Sequence, residues 1–208
     1  MTLARTALAA IPDQLVPDEA LLVLYANGDP GAARELSRRL VPRTLGYAVR
    51  LLGGDRAEAE DVVQEAMLRL WRVAPDWRSG EAKVTTWVYR VVTNLCTDRR
   101  RARVRRGAGA LDDPPEVADG SPGAEARLIA ADRGGALQAA LAQLPDRQRQ
   151  AVVLRHIEGL SNPEIAAVLE LGVEAVESLT ARGKRALAAI LAGQRDALGW
   201  GDGGGDDR

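Results

Sequence analysis

The sequence predicts an all-α fold, on three observations. Apolar residues recur at spacings of three and four through most of the chain, no stretch alternates with the period of two that a half-buried strand requires, and no internal repeat is present. The 208 residues are 46% hydrophobic and 27% charged, proportions that leave an ordinary soluble chain enough apolar material for a core. More closely, the pattern predicts two small helical domains joined by a flexible acidic linker, the second containing a helix-turn-helix.

Residues 1–17 read as a loose N-terminal extension. Periodicity begins near Asp18, where Leu21, Leu22, Leu24 and Tyr25 share a face, and the Asn27-Gly28-Asp29-Pro30 turn cluster ends it. From Gly31 to Leu52 the pattern resumes through Ala33, Leu36, Leu40, Leu45 and Val49. Pro42 interrupts it, which predicts one kinked helix or two abutting ones. Gly53-Gly54 stops the run. Asp55 to Arg72 is the clearest helix: Asp55 is placed to cap it with Glu58 three residues on, close to a capping box. Val62, Ala66, Leu70 and Val73, flanked by Val63, Met67 and Trp71, form an apolar face, leaving Glu58, Asp61, Glu65, Arg69 and Arg72 opposite. Pro75 ends this helix. A loop from Asp76 to Glu81 carries Trp77, and the next helix repeats Val84, Trp87, Val88, Val91 and Leu95 before six arginines in the eight residues Arg99 to Arg106. These elements make a first domain of 18–106.

Residues 107–124 change abruptly to Gly, Pro, Ala and acid, a composition that cannot bury enough apolar area to offset ordering entropy. They read as the linker. A second domain, 125–192, opens with a helix from about Glu125 marked by Leu137, Ala140, Leu141 and Leu144 and stopped by Pro145. Asp146 is placed to cap the following helix, Arg147 to Glu158, with Val152, Val153 and Ile157 inward. Ser161-Asn162-Pro163-Glu164 is a full capping box opening a short helix with Ile165, Ala166, Val168 and Leu169. A turn at Glu170 to Gly172 leads to the last helix, Glu174 to Leu191, and residues 193–208 form a Gly/Asp-rich tail.

Composition narrows the function classes. Net charge is −1, so any nucleic-acid contact must come from local clustering. Cys96 is the only cysteine and His156 the only histidine, which excludes a disulfide framework and a multi-Cys zinc site. The carboxylates of the Asp55 helix are spread over several turns and converge poorly on one ion; a solvated face and a docking surface for a basic partner both remain open. No metal or cofactor is expected. No run approaches the ~20 apolar residues of a membrane span and Met1 to Ile11 makes no convincing signal peptide, so a cytoplasmic location without membrane insertion is expected.

Ser161 to Leu187 has the proportions of a helix-turn-helix, although an ordinary helical hairpin has them too. Arg182, Lys184 and Arg185 supply the cations that phosphate contact requires, and Ser178 and Thr180 have the reach for base edges or phosphates. Glu174 and Glu177 near the helix start suit capping or solvation. The Arg99 to Arg106 run exceeds what a helix C-terminus needs and fits a nucleic-acid backbone. Trp77, Trp87 and Tyr89 offer faces on which unpaired bases stack, while Trp87 lies equally well in the core. Asn94 suits either a bond to Asp98 or a base.

These residues carry a resemblance. Asp61-Val62-Val63-Gln64-Glu65 with Leu70-Trp71-Arg72, then Thr86-Trp87-Val88-Tyr89-Arg90-Val91-Val92-Thr93-Asn94 with Asp98 and Arg101, resemble the second conserved region of bacterial sigma factors. Leu144-Pro145, Arg149, Glu158-Gly159-Leu160-Ser161, Glu164-Ile165-Ala166, Val176 and Arg182-Gly183 resemble the fourth. With only a linker between the two, the chain is similar to the minimal, extracytoplasmic-function subclass. The resemblance implies that Asp61, Gln64, Glu65 and Arg69 meet the coiled-coil clamp helices of the polymerase's largest subunit. It implies that the loop from Trp77 to Lys83, with Trp87, Arg90 and Asn94, holds the non-template strand of the minus-ten element, Arg99 and Arg101 clamping its backbone. Ser178, Thr180, Arg182, Lys184 and Arg185 would meet the minus-thirty-five duplex. The implied partners are core RNA polymerase, promoter DNA and an anti-sigma factor of the kind this subclass often has. No catalysis is implied, because capturing unstacked bases offsets the cost of unpairing. Two departures stand out: Glu170 where the family commonly has Gly, which predicts a reshaped turn because a left-handed Glu costs roughly 1 kcal/mol, and Glu177 and Leu179 at positions often basic. The rival readings are a free-standing helix-turn-helix regulator, which leaves Asp55 to Arg106 without purpose, and a metal-dependent enzyme of nucleic acid.

Overall fold

The computed structural model describes residues 16–78, 80, 83–107 and 134–197. Within them run α1 (Asp18–Ala26), α2 (Pro30–Leu51), α3 (Arg56–Val73), a 3-10 turn (Ala74–Asp76), α4 (Val84–Arg105), α5 (134–142), α6 (Asp146–His156), α7 (Asn162–Leu169) and α8 (Val173–Ala197). No strand occurs among the described residues, and the fold is all-α. The expected extension as far as 15, the linker beyond Gly107, the helix onset near Glu125 and the tail beyond 197 lie outside them.

Local signals place most helix starts. Asp29 accepts from Gly31 N at 2.8 Å with Pro30 in the first turn of α2, and Asp55 accepts from Glu58 N at 2.9 Å at the start of α3. Between α2 and α3 the chain reverses through Gly53 (φ 74°) and Gly54 (φ 99°), a conformation costly for any other residue. α2 runs through Pro42 as a single helix. Its buried face, with Leu36, Leu40, Tyr47, Ala48 and Leu51, holds both sides of the proline in register, so packing prevails over a local breaker. α4 lacks a cap of its own, since Lys83 has no acceptor to offer; Glu19 of α1 accepts from Val84 N at 2.9 Å instead.

Three expectations need correction. Pro145, not Asp146, precedes α6; Asp146 occupies its first turn, and its Oδ1 accepts from Arg149 at 2.9 Å and lies 2.7 Å from Arg100 Nη1. Val152 and Val153 are buried as expected, but Ile157 is 38% exposed because α6 stops at His156 and releases the next side chain from the inward face. The turn after α7 is not reshaped: Glu170 adopts the left-handed conformation, φ 55° and ψ 49°. The amides of Glu170 and Leu171 both donate to Ala166 O, the latter at 3.0 Å, and that Schellman-type closure requires a left-handed residue at this position whatever its side chain.

The two halves pack on each other. α7 lies against α4 and α6 against α2, and the buried residues of both halves form one continuous apolar cluster. Within the second half α6 and α8 approach closely at Gly183, which is buried. A Cβ there would stand 2.6 Å from Val152 Cγ2 and 3.1 Å from Gln148 O.

Candidate polymerase and nucleic-acid interfaces

α3 divides cleanly. Val62, Val63, Ala66, Met67 and Leu70 are buried, while Asp61, Gln64 and Arg69 are exposed and Glu65 is half-buried beside them. Glu65 Oε1 accepts from Arg69 Nε at 2.8 Å, and this bond first of all lowers the Glu65 pKa, keeping the carboxylate charged. Leu68, 44% exposed, stands three residues after Glu65 and seven after Asp61 on the same outward side. Sequence reasoning passed over it, although a leucine falling outside the apolar stripe of an amphipathic helix was a signal it could have used.

The loop and the start of α4 are tighter than expected. Trp77 and Trp87 are both half-buried and meet edge to face, centroids 6.2 Å apart at 84°. The Trp77 indole N–H is buried without an acceptor. These rings are therefore engaged with each other here, not free platforms. Tyr89, 2% exposed, offers no stacking face: its hydroxyl donates to Glu158 Oε2 at 2.6 Å, and burial chiefly raises its pKa. Lys83 is largely exposed, with Nζ 2.7 Å from Glu164 Oε1; Arg90 is half-exposed, with Nη1 3.9 Å from Glu170 Oε1. Asn94 is exposed.

The arginine run does not act as a unit. Arg103 Nη2 bonds Asp55 at 2.9 Å and Glu58 at 2.7 Å, clamping the end of α4 to the start of α3, and Arg100 is held by Asp146 of the second half. Arg99 is half-buried, while Arg101, Arg105 and Arg106 are exposed. Cys96 is 1% exposed and its thiol is pushed up to about 12 by burial, so it is held as a small apolar side chain. Among the described residues no group of His, Cys, Asp or Glu is placed to hold a metal ion, and no helix is long and apolar enough to cross a membrane.

In the second half α7, the turn and α8 form a helix-turn-helix. Its capping box is complete, with Ser161 N donating to Glu164 Oε2 at 2.9 Å. Gly172 stands immediately before α8. Ser178, Arg182, Lys184 and Arg185 are exposed along α8, and Arg182 Nε donates to Ser178 O at 3.3 Å. Thr180 departs from expectation: its hydroxyl is buried without a partner, because the phase that turns Val176 and Gly183 inward brings position 180 part of the way with them. Glu177 accepts from the Asn162 amide at 3.2 Å and braces α8 against the start of α7.

The chain matches the family models for sigma-70 region 2 over residues 36–106 and sigma-70 region 4 over residues 134–187. It is 38% identical over 175 residues to the ECF RNA polymerase sigma factor SigE of Mycolicibacterium smegmatis, an alignment covering 82% of this chain and 66% of that one. Against the ECF RNA polymerase sigma factor SigM of Mycobacterium tuberculosis it is 34% identical over 174 residues, 84% of each chain. Its structure is similar to that of CnrH in complex with the cytosolic domain of CnrY, with a TM-score of 0.64, 28% identity, and coverage of 85% of this chain and 97% of that one. CnrH is an RNA polymerase sigma factor of Cupriavidus metallidurans. The chain belongs to the ECF RNA polymerase sigma factors, proteins of promoter recognition and transcription initiation.

Proposed function

We propose that the two halves divide the work of initiation, residues 18–106 gripping core RNA polymerase and the separated minus-ten strand, residues 125–192 the minus-thirty-five duplex. The observation that carries this reading is the split of α3 and α4 into faces of opposite charge. Asp61, Gln64, Glu65 and Arg69, with Leu68 among them, suit a basic helical partner with an apolar seam; Lys83, Arg90, Asn94, Arg99 and Arg101 suit an anionic strand, and Trp87 and Trp77 would meet its bases once their edge-to-face contact opens. Ser178, Arg182, Lys184 and Arg185 on α8 take the duplex; Thr180 would need its hydroxyl turned outward. Strand opening then follows from differential binding, in which contacts made only to the separated strand offset the cost of unpairing, and no residue performs covalent chemistry.

We also assign the chain a cytoplasmic location, where polymerase and promoter are, and an anti-sigma partner. The likeness to CnrH, whose structure includes the cytosolic domain of CnrY, supports a protein partner of that type. The test is charge reversal on α3. Asp61→Arg with Glu65→Arg is expected to weaken binding to core polymerase by about tenfold or more, two opposed rim charges being worth about 1 kcal/mol each. Binding of α8 to a minus-thirty-five duplex should not change. Unaltered polymerase affinity in a titration with labelled chain refutes the assignment of α3.

A further inference from the structure

The cations of α8 are placed unlike those on the rest of the surface. Arg39, Arg56, Arg69, Lys83, Arg100 and Arg103 each lie within 3.0 Å of a carboxylate oxygen. Among the described residues Arg182, Lys184 and Arg185, all exposed, have no carboxylate partner; Arg182 bonds only Ser178 O, at 3.3 Å. Arg155 and His156, exposed at the end of α6, enlarge this patch. Partial burial first, then the charges of Lys184 and Arg155, lower the His156 pKa, so positive charge is crowded here. From Arg185 onward the exposed positions of α8 are Ala188, Ala189, Ala192 and Gly193. Steps of three and four keep them on one side, so an uncharged strip of small residues leads from the cations toward the end of the helix.

The sequence supplies anions at the far end of that strip. Residues 198–208 contain Asp202, Asp206 and Asp207 among five glycines, against a single cation, Arg208. They follow α8 directly and lie beyond the match to sigma-70 region 4, which ends at 187, so they are a property of this chain and not of the shared domain. Their reach permits a return. At about 1.5 Å per residue, Arg185 stands roughly 18 Å and Lys184 roughly 20 Å back along the axis from Ala197. At about 3.3 Å per extended residue, Asp202 can stand roughly 17 Å from Ala197 and Asp206 roughly 30 Å. We propose that residues 198–208 return along α8 and set Asp202, Asp206 and Asp207 against Arg182, Lys184 and Arg185, giving the chain an acidic occupant for its own duplex-binding cations. A tether over this span presents the acids at about millimolar effective concentration, which sustains a contact too weak to form between separate molecules. The contact stands on charge and reach; its effect on DNA rests on the assignment of these cations to the minus-thirty-five duplex. Loose binding to any duplex depends on such cations and is curbed most, whereas a minus-thirty-five element adds base contacts and displaces the acids more readily.

Two measurements on the full-length chain test this. Cys96 is buried with its thiol pushed up to about 12, so a spin label reacts selectively at an introduced Gly204→Cys. At low salt the label is expected to broaden the amide resonances of residues 182–185, and Asp202→Asn, Asp206→Asn and Asp207→Asn together should relieve the broadening. Broadening centred on Arg50 and Arg56, or on Arg101, Arg105 and Arg106, or none on α8, overturns the contact. The second measurement is binding to a short fluorescent duplex of mixed sequence, without polymerase. A site occupied part of the time binds more weakly in proportion, so the three Asp→Asn changes are expected to tighten binding about twofold to fivefold, a gain that fades in about 0.5 M salt. Removing as many acids from the linker, with Asp112→Asn, Asp113→Asn and Glu116→Gln, should gain far less; an equal gain makes the effect one of net charge and overturns the proposal. The underlying reading is judged by Arg182→Ala with Lys184→Ala and Arg185→Ala, which should weaken duplex binding. If that variant weakens binding and the tail variant does not tighten it, the acids do not compete and the proposal fails alone. If the cation variant binds duplex as the parent does, the minus-thirty-five assignment fails, and the broadening at 182–185 decides the contact by itself.

Discussion

Replacing Gly183 by Ala tests how closely the helices of the second half are packed. In most helix interiors the substitution helps, because Ala is favoured over Gly by about 1 kcal/mol. Here the added methyl would stand 2.6 Å from Val152 Cγ2, 3.2 Å from Gln148 Cβ and 3.1 Å from Gln148 O. Carbon atoms attract best at roughly 3.5–4.0 Å, so the first contact lies about 1 Å inside the well. Neither neighbour yields cheaply. Val152 is 3% exposed and β-branched, with χ1 restricted on a helix, and the carbonyl of Gln148 moves only with α6 itself. Overpacking of this kind costs about 1–3 kcal/mol, and with the propensity gain subtracted a net loss of up to about 2 kcal/mol is expected. Gly193, also on α8, has nothing within 4 Å of a built Cβ, so Gly193→Ala should be neutral or stabilise by up to about 1 kcal/mol. The assay is denaturant unfolding of the full chain followed by far-ultraviolet circular dichroism, the midpoint being compared at constant slope. Opposite signs for the two substitutions support the geometry. If Gly183→Ala stabilises as much as Gly193→Ala, α6 and α8 do not approach as described.

Three further outcomes are expected. Glu170→Gly relieves a left-handed residue worth about 1–2 kcal/mol and adds unfolded-state freedom worth about 0.4–1 kcal/mol, so a net gain of about 0.5–1 kcal/mol should appear in the same unfolding assay; a loss of stability would show that the side chain contributes more than its strain. Glu19→Ala leaves Val84 N without its acceptor and should cost about 1 kcal/mol, as loss of a helix cap does, with faster hydrogen exchange at Val84 and Trp87; unchanged exchange there would remove Glu19 from the start of α4. Glu35, whose side chain is 10% exposed, is held at about 2 by hydrogen bonds from Arg38 first and then Arg39, below an ordinary value of 4.5. A carboxylate depressed in the folded state contributes stability that is complete above its unfolded value and is lost as pH falls from there toward the folded one. Glu35→Gln should therefore flatten the acid limb of the stability profile between about pH 4.5 and 2; an unchanged limb would assign acid unfolding to other carboxylates.

What could be read from the sequence is what short-range physics encodes. The α3 cap and stripe lie within 18 residues, and the capping box of α7 within four; both are visible because every participant is a helical neighbour of the next. The face of α3 that carries Asp61 and Glu65 was legible for the same reason. Other features depend on contacts across the chain. Glu19 caps α4 from 65 residues away, so nothing beside Lys83 in the sequence marks the acceptor that starts this helix. Tyr89 reads as a stacking face from its aromatic ring alone; only the arrival of Glu158, 69 residues on, identifies it as a buried bridge. Boundary shifts of a single residue had large effects: with α6 ending at His156, Ile157 turns outward, and with Pro145 as its cap, Asp146 is free to bind Arg100 and Arg149.

The arginine run shows why composition alone could not assign roles at this interface. Six cations in eight residues suggest one clamp, yet a helix sends successive residues about 100° apart, so neighbours in the run face different surroundings. Arg103 meets the acidic start of α3 and Arg100 meets Asp146, and both are spent on holding the fold together. Arg101, Arg105 and Arg106 stay exposed. The same division recurs at Lys83 and Arg90, whose opposing carboxylates, Glu164 and Glu170, belong to the other half of the chain. Charge at this surface is thus a property of the arrangement: which cations are paired is decided by carboxylates far along the chain, not by the run itself.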